Sequence, residues 1–347
     1  MATYSGIFDT LGLQAWCDAG GASGGPMTMA QLLAQTGNAA SGESAANIWE
    51  APFPSLDALH QACGAIPRTR DMTAAVERAF LDMKDSLKVV LDPLTQPLSW
   101  LLQRALEGVE TAPWWIVIPL VALLVQWLTR SARVTGLVLF SLLFLAAIDH
   151  YSYAMQTLAI ILVCTVLSVI IGVPIGIAMS KYDRLQRMMT PVLDMLQTLP
   201  TFVYLIPLIF LFSVTEPKLY GIAIILYAIV PVIRLTDLGI RLVDKDVLEA
   251  AEAFGMTPRQ KLFGVEVPLA LPNIMAGVNQ TIMMSLAMVV IASLVSAPGL
   301  GVLVLRGINK LELGVGLIAG LGIVLLAILL DRVSKAALQR INQAHKA

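Results

Sequence analysis

The sequence predicts an all-α protein of the membrane, with about seven transmembrane helices, and three observations carry that prediction. The 347 residues are 57% hydrophobic and 14% charged, whereas an ordinary soluble domain carries about 25% charged residues. The apolar residues gather into long blocks, and Lys and Arg collect at one alternating set of block ends. A net charge of −1 with 7% aromatics excludes a nucleic-acid binder, which needs a basic face to neutralise phosphates. Cys17, Cys63 and Cys164 are too far apart to suggest a metal cluster or a redox pair, and no metal site is expected.

Residues 1–110 hold six Lys/Arg against twelve Asp/Glu, and the remainder holds seventeen against twelve. The first seventy residues are rich in Gly, Ala and Ser, have no sustained apolar period and read as a weakly ordered acidic tail. No basic stretch followed by an apolar run opens the chain, so no cleaved leader is expected. Whether Cys17 and Cys63 pair is left open by their spacing. Within 71–110, Met72, Val76, Phe80, Met83, Leu87 and Val90 recur at helical steps, giving an amphipathic helix expected to end near Pro93. Leu98, Leu101, Leu102, Ala105 and Val109 give a second. Both fit a membrane surface, with Trp100 at the headgroups, and both also fit a soluble hairpin packed on itself.

Beyond Pro113, seven apolar segments follow: 114–128, 134–148, 154–179, 192–214, 219–238, 274–295 and 313–330. About 20 residues are needed to cross a bilayer, so the first two are short and read either as accessory transmembrane helices (111–150) or as a re-entrant hairpin. Thirteen Lys/Arg, among them Arg130, Lys181, Arg241 and Arg332, fall at one set of ends, against Lys218, Arg306 and Lys310 at the other. The cytoplasmic side accumulates such residues. This predicts a multi-pass membrane protein with the N-terminus outside, the C-terminus inside and a cytoplasmic tail at 336–347.

Residues 241–272 form a loop longer than a simple reversal needs. Asp246 is expected to cap a helix through Val247–Phe254, answered by Glu249 at its third position, and Gly255 suits the left-handed residue that ends it. Thr257-Pro258-Arg259-Gln260 then spells a capping box with proline at the first position. Pro268 and Pro272 are expected to end this second helix. Ala250 and Ala251 leave room for a partner, and Phe254, Leu262 and Phe263 offer apolar knobs. From these residues alone, docking on a partner and lying on headgroups are equally good readings.

Glu249-Ala250-Ala251, then Gly255, then Val265-Glu266-Val267-Pro268 resembles the EAA signature of permease subunits of binding-protein-dependent ABC importers, with Val265 and Val267 in place of the usual Ile and Leu. The segments 193–207, 257–260, 274–281 and 288–293 are similar to the glycine betaine/proline/choline class of those permeases, and the likeness covers most of 114–332. The resemblance implies the type I ABC importer permease fold, with a core at 151–335. It implies ATPase coupling through Glu249, Ala250, Ala251, Gly255, Arg259 and Pro268. The implied partners are a cytoplasmic ABC ATPase, an extracytoplasmic substrate-binding protein, a second copy of the permease and membrane lipid. No Gly-x-x-x-x-Gly-Lys-Ser/Thr occurs, so ATP and Mg are expected in the partner ATPase, with no cofactor and no catalytic residue in this chain.

A quaternary ammonium cannot donate a hydrogen bond from its nitrogen, so aromatic faces suit it. Phe202, Tyr204 and Tyr227, with Gln197, Asn279 and Gln280, are candidates for a substrate path, although each residue also reads as helix packing. Asp194, Arg234 and Asp237 are ionisable groups at membrane depth; Asp194 is expected near a helix start, and Arg234 is expected to pair with Asp237. The rival functions are a stand-alone osmotically responsive channel or secondary transporter, which would need no docking loop of this shape, and a membrane receptor. The motif-like Gly21-Ala22-Ser23-Gly24-Gly25 lacks the strand and helix that a nucleophile elbow requires. His60, His150 and His345 form no catalytic set.

Overall fold

A computed structural model describes residues 11–13, 17, 63 and 69–344. The expectations for a weakly ordered tail, for Gly21–Gly25, for His60 and for His345 fall outside them. The chain divides into two compact units, Met1–Ser86 and Leu87–Ala347. In the first, Cys17 and Cys63 are joined by a disulfide.

The helices are α1 (Thr69–Thr111), α2 (Trp114–Thr129), α3 (Ala132–Ala147), α4 (Tyr151–Lys181), α5 (Asp183–Thr198), α6 (Leu205–Leu211), α7 (Pro217–Arg241), α8 (Lys245–Ala253), α9 (Pro258–Lys261), α10 (Val267–Ala292), α11 (Leu300–Asn309) and α12 (Leu313–Ala344). A π turn, Leu262–Glu266, joins α9 to α10. Among the described residues four helical stretches are long and apolar enough to cross a membrane: Tyr151–Lys181, Pro217–Arg241, Pro258–Val295 and Leu313–Arg340. The other three expected spans are built differently. Helices α2 and α3 have sixteen residues each, and the segment 192–214 is broken.

That break has a local cause. Pro200 disfavours helical backbone in the residue before it, and Leu199 is extended at φ −63°, ψ 132°. Helix α5 therefore stops at Thr198, and a turn leads into the short α6. The two pieces still run the length of α7. Gln186 of α5 bonds Asp237 near one end of α7, and Phe212, just after α6, lies under Lys218 at the other.

The core is α7 held between α4 and α10. Lipid tails are as apolar as leucine, so helices in a bilayer gain little from hiding apolar surface and depend on close packing instead. Glycines supply it. A Cβ on Gly176 would lie 2.6 Å from Thr236 Cβ and 2.7 Å from Ile233 O, and one on Gly172 would lie 2.5 Å from Val232. From the other side, Gly277 faces Pro231 and Val232. Met179, Leu193, Val230, Val232 and Ile233 fill the contact, and Ile240, Ala270 and Ile274 continue it. Thr165 and Ser285 bond each other inside, at 3.2 Å.

The expected helix end near Pro93 is not found. Helix α1 runs through Pro93 and Pro97 without ending. Both lie on its exposed side, where water can take the carbonyls that each proline leaves unpaired, and the Thr95 hydroxyl donates to Leu91 O at 2.8 Å. The second half of α1 packs on the ends of α4 and α7. Leu102 is fully buried against Gly221, Asp92 pairs with Lys218 at 2.7 Å, and Gln156 donates to Glu110 at 2.9 Å. At the opposite end of the bundle, Arg340 of α12 donates to Leu128 O at 3.0 Å, satisfying a last-turn carbonyl of α2.

The glycine contacts make a direct prediction. Gly176→Val should cost about 1–3 kcal/mol through overpacking, read as a lower thermal midpoint in detergent. Gly320→Ala, where nothing lies within 4 Å, should leave the midpoint unchanged or slightly raised.

Candidate functional site

The hairpin between α7 and α10 is built from short-range signals. Asp244 caps α8, its carboxylate accepting from the Asp246 amide at 3.0 Å. The cap is thus Asp244 rather than Asp246, two residues earlier than expected, and Glu249 falls too far along the helix to answer it. Gly255 ends the helix in the left-handed region at φ +76°. Its N–H donates to Glu252 O and that of Met256 to Ala251 O, the pairing of a Schellman motif. Thr257 and Gln260 form the reciprocal capping box.

Pro268 does not end the second helix. The chain passes through the π turn into α10, with Pro268 at its start and Pro272 inside it. Proline has no N–H to give the carbonyl four residues back and its ring crowds that carbonyl; the wider π turn lies where α-helical bonding would meet this obstruction, and Val267 N–H reaches back to Leu262 O.

The hairpin presents one face outward. Glu249, Ala250, Gly255 and Arg259 are exposed, and Phe254 and Phe263 are 87% and 66% exposed. Ala251, by contrast, is buried, so only one of the small pair is open to a partner, and Pro268 is half-buried. Lys261 pairs with Glu252 and ties the two helices together. This contact holds the Glu252 carboxyl below its ordinary range.

Behind the hairpin stands a set of ion pairs. Glu266, 2% exposed, binds Lys181, the last residue of α4. Arg241 bonds Asp237 and Asp183, each at 2.9 Å, and Met179 O at 2.8 Å. Arg234 pairs with Asp194 rather than Asp237, and Asp194 lies in the last turn of α5 rather than near its start.

The proposed path residues separate. Tyr204 is buried, its hydroxyl without a hydrogen-bond partner, and Tyr227 is half-buried on α7. Phe202 and Gln197 are exposed on the same broken segment, and Gln197 Nε2 lies 4.0 Å from Met284 Sδ of α10. Gln280 is exposed. Asn279 is engaged elsewhere: its amide donates to Asp331 at 3.4 Å and accepts from Ser334, which locks α10 to α12. Among the described residues no His, Cys, Asp or Glu side chains converge in threes to hold a metal ion.

Residues 168–343 match the model of the family described as binding-protein-dependent transport system inner membrane component. The chain belongs to this family. It is therefore a multi-pass transport permease subunit of the membrane, and the family name itself specifies dependence on a binding protein. It is 40% identical over 285 residues, 82% of this chain and 78% of the other, to the glycine betaine/proline betaine transport system permease protein ProW of Escherichia coli strain K12. It is 41% identical over 248 residues, 70% of this chain and 86% of the other, to the glycine betaine transport system permease protein OpuAB of Bacillus subtilis strain 168. A structure of the MetNI methionine ABC transporter, in an inward-facing conformation, aligns with TM-score 0.50 at 19% identity. That alignment covers 55% of this chain and 95% of the other and shows the fold, the type I ABC importer permease fold.

What sequence reasoning missed is the pairing of Lys181 with Glu266, 85 positions apart; the one trace in the sequence is a Glu set between Val265 and Val267.

The capping box also yields a test. Thr257→Ala should cost about 1 kcal/mol locally, seen as roughly fivefold faster amide hydrogen exchange at Gln260, with the exchange of α4 unchanged.

Proposed function

We propose that this permease moves a quaternary ammonium osmolyte, such as glycine betaine, proline betaine or choline, into the cytoplasm, driven by ATP hydrolysis in a separate ATPase. The observation that carries this reading is the capped, exposed hairpin. Glu249, Ala250, Phe254 and Phe263 are each exposed on it, and its two short helices are capped at their starts. Lipid does not demand such a shape, whereas a cleft in an ATPase does. The names of the relatives supply the substrate class, and the aromatic set Phe202, Tyr204 and Tyr227 supplies chemistry that a cation without N–H groups can use. Tight selection then falls to the soluble binding protein, and ATP with Mg to the ATPase.

The orientation follows from two independent features. A disulfide persists in oxidising compartments, which favours the side holding Cys17 and Cys63 as the outside. The thirteen-to-three split of Lys/Arg puts the hairpin inside. Domain roles follow: an extracytoplasmic tail (1–70), interfacial helix (71–110), two accessory helices (111–150) and the core with its coupling loop. Trp114, Trp115 and Trp127, more than half exposed at opposite ends of α2, suit lipid headgroup levels.

A second copy is supported by charge. The Arg234 and Asp194 side chains are 40% and 53% exposed on core helices. Charges facing hydrocarbon are costly, and such groups face protein or a water-filled cavity. A homodimer with the path between copies covers them.

The test is accumulation of labelled glycine betaine in cells that lack their own betaine importers, supplied with this chain, its ATPase and its binding protein. Phe254→Asp should lower uptake by about tenfold or more, the loss expected of a central interface anchor, while the chain stays in the membrane. Unlabelled proline betaine or choline should compete. Undiminished uptake in the variant would reject the hairpin as the ATPase site.

A further inference from the structure

Besides the apolar packing of Leu248 and Val267 on Ile240, Ala270 and Ile274, the hairpin is joined to the membrane helices by three routes of different character. Toward α7 it is continuous through Leu242 and Val243. Toward α10 it passes through the π turn, where the α-helical ladder is interrupted; such interruptions recur at functional sites. The third route is not covalent: Glu266 in the π turn binds Lys181 across 85 positions of sequence. Glu266 is 2% exposed, while the Lys181 side chain is 37% exposed, so the carboxylate is enclosed and the ammonium reaches in to meet it.

Lys181 occupies a particular corner. Helix α4 ends there, Tyr182 alone is extended at φ −124°, ψ 100°, and Asp183 opens α5. Asp183 is held in turn by Arg241 at the end of α7, and Gln186, one turn further on, donates to Asp237 at 2.8 Å. The corner is therefore gripped from one side by the hairpin and from the other by α7. Helix α5 leads from it to Asp194, Gln197 and the break at Leu199–Tyr204.

We propose that Lys181 and Glu266 are positioning residues that make the α4–α5 corner follow the hairpin, so that hairpin displacement tilts α5 and moves the broken segment carrying Gln197, Phe202 and Tyr204. This rests on the hairpin being the ATPase site. Without the pair, displacement of the hairpin bends the π turn and leaves α5 where Arg241 holds it. With the pair, the corner must move too, because separating one buried charge from its partner leaves that charge uncompensated. The Lys261–Glu252 bond adds to this by making α8 and α9 move as one piece.

The experiment uses the complete importer in proteoliposomes, with labelled glycine betaine as the probe and two readouts: ATPase retained on the permease, and ATP hydrolysed per betaine taken up. Glu266→Gln and Lys181→Gln should each keep the ATPase bound while the ATP cost per betaine rises at least about fivefold, the scale of coupling between contacting residues. The double exchange Lys181→Glu with Glu266→Lys should bring that ratio back to within about twofold of the wild type. A ratio unchanged in both single variants would overturn the proposal. So would loss of the ATPase from them, since the pair would then serve docking or folding, and so would a double exchange no better than the single variants. Phe254→Asp separates the two readings: if it leaves the ATPase bound, the docking surface is misassigned, whatever the ratio does.

Discussion

Helices inside a bilayer have little apolar surface to hide from one another, so they stay together only where their backbones come close enough to pack. In this chain that condition is met at α7. Gly172 and Gly176 of α4 bring one neighbour onto Val232, Ile233 and Thr236, and Gly277 of α10 brings the other onto Pro231 and Val232. Every functional feature hangs on this three-helix unit. The hairpin is the connection between two of its members, the α4–α5 corner leaves from the third, and the broken segment lies along α7. A permease needs such a rigid centre because only a stiff element can carry displacement from one end to the other.

At the basic end of the bundle, charge takes over from packing. Arg241, Asp237, Asp183 and Gln186 connect α5 to α7, and Lys181 with Glu266 connects α4 to the hairpin. These groups lie at helix ends, where water and headgroups reduce the cost of burying charge, and where directional bonds can define a geometry that apolar contacts would leave loose. The opposite end is organised differently: Asp92 and Glu216 surround the buried Lys218, Leu102 fills the space over Gly221, and Thr157 accepts from the Leu300 N–H at 2.9 Å to seat α11. The hairpin face, by contrast, is left open, with two phenylalanines projecting from it.

What was legible in the sequence was what short-range physics decides. Gly255 and the Thr257–Gln260 box could be read because a left-handed residue and a reciprocal cap each depend on a few neighbouring atoms. The long apolar spans were legible for the same reason, since hydropathy acts position by position. Competition between signals was harder. Both Asp244 and Asp246 are good caps, and only the backbone geometry at Asp244 selects it. Prolines misled in both directions: Pro93 and Pro97 sit on an exposed side that tolerates them, Pro268 is absorbed by a π turn, yet Pro200 breaks a span that hydropathy alone makes continuous. Partner choice across the fold was not legible at all. Asn279 looked like a path residue until α12 brought Asp331 and Ser334 to it, and Arg234 chose Asp194 on another helix over Asp237 on its own.

The central claim is that a partner's ATP hydrolysis, received at the hairpin, drives this permease. The most direct measurement is accumulation of labelled glycine betaine by vesicles holding the full complex, with ATP supplied on the hairpin side and ion gradients either imposed or collapsed by ionophores. Accumulation that requires ATP and ignores the ionophores is the predicted result. Accumulation by the permease alone, driven by an ion gradient and indifferent to ATP, would contradict the account.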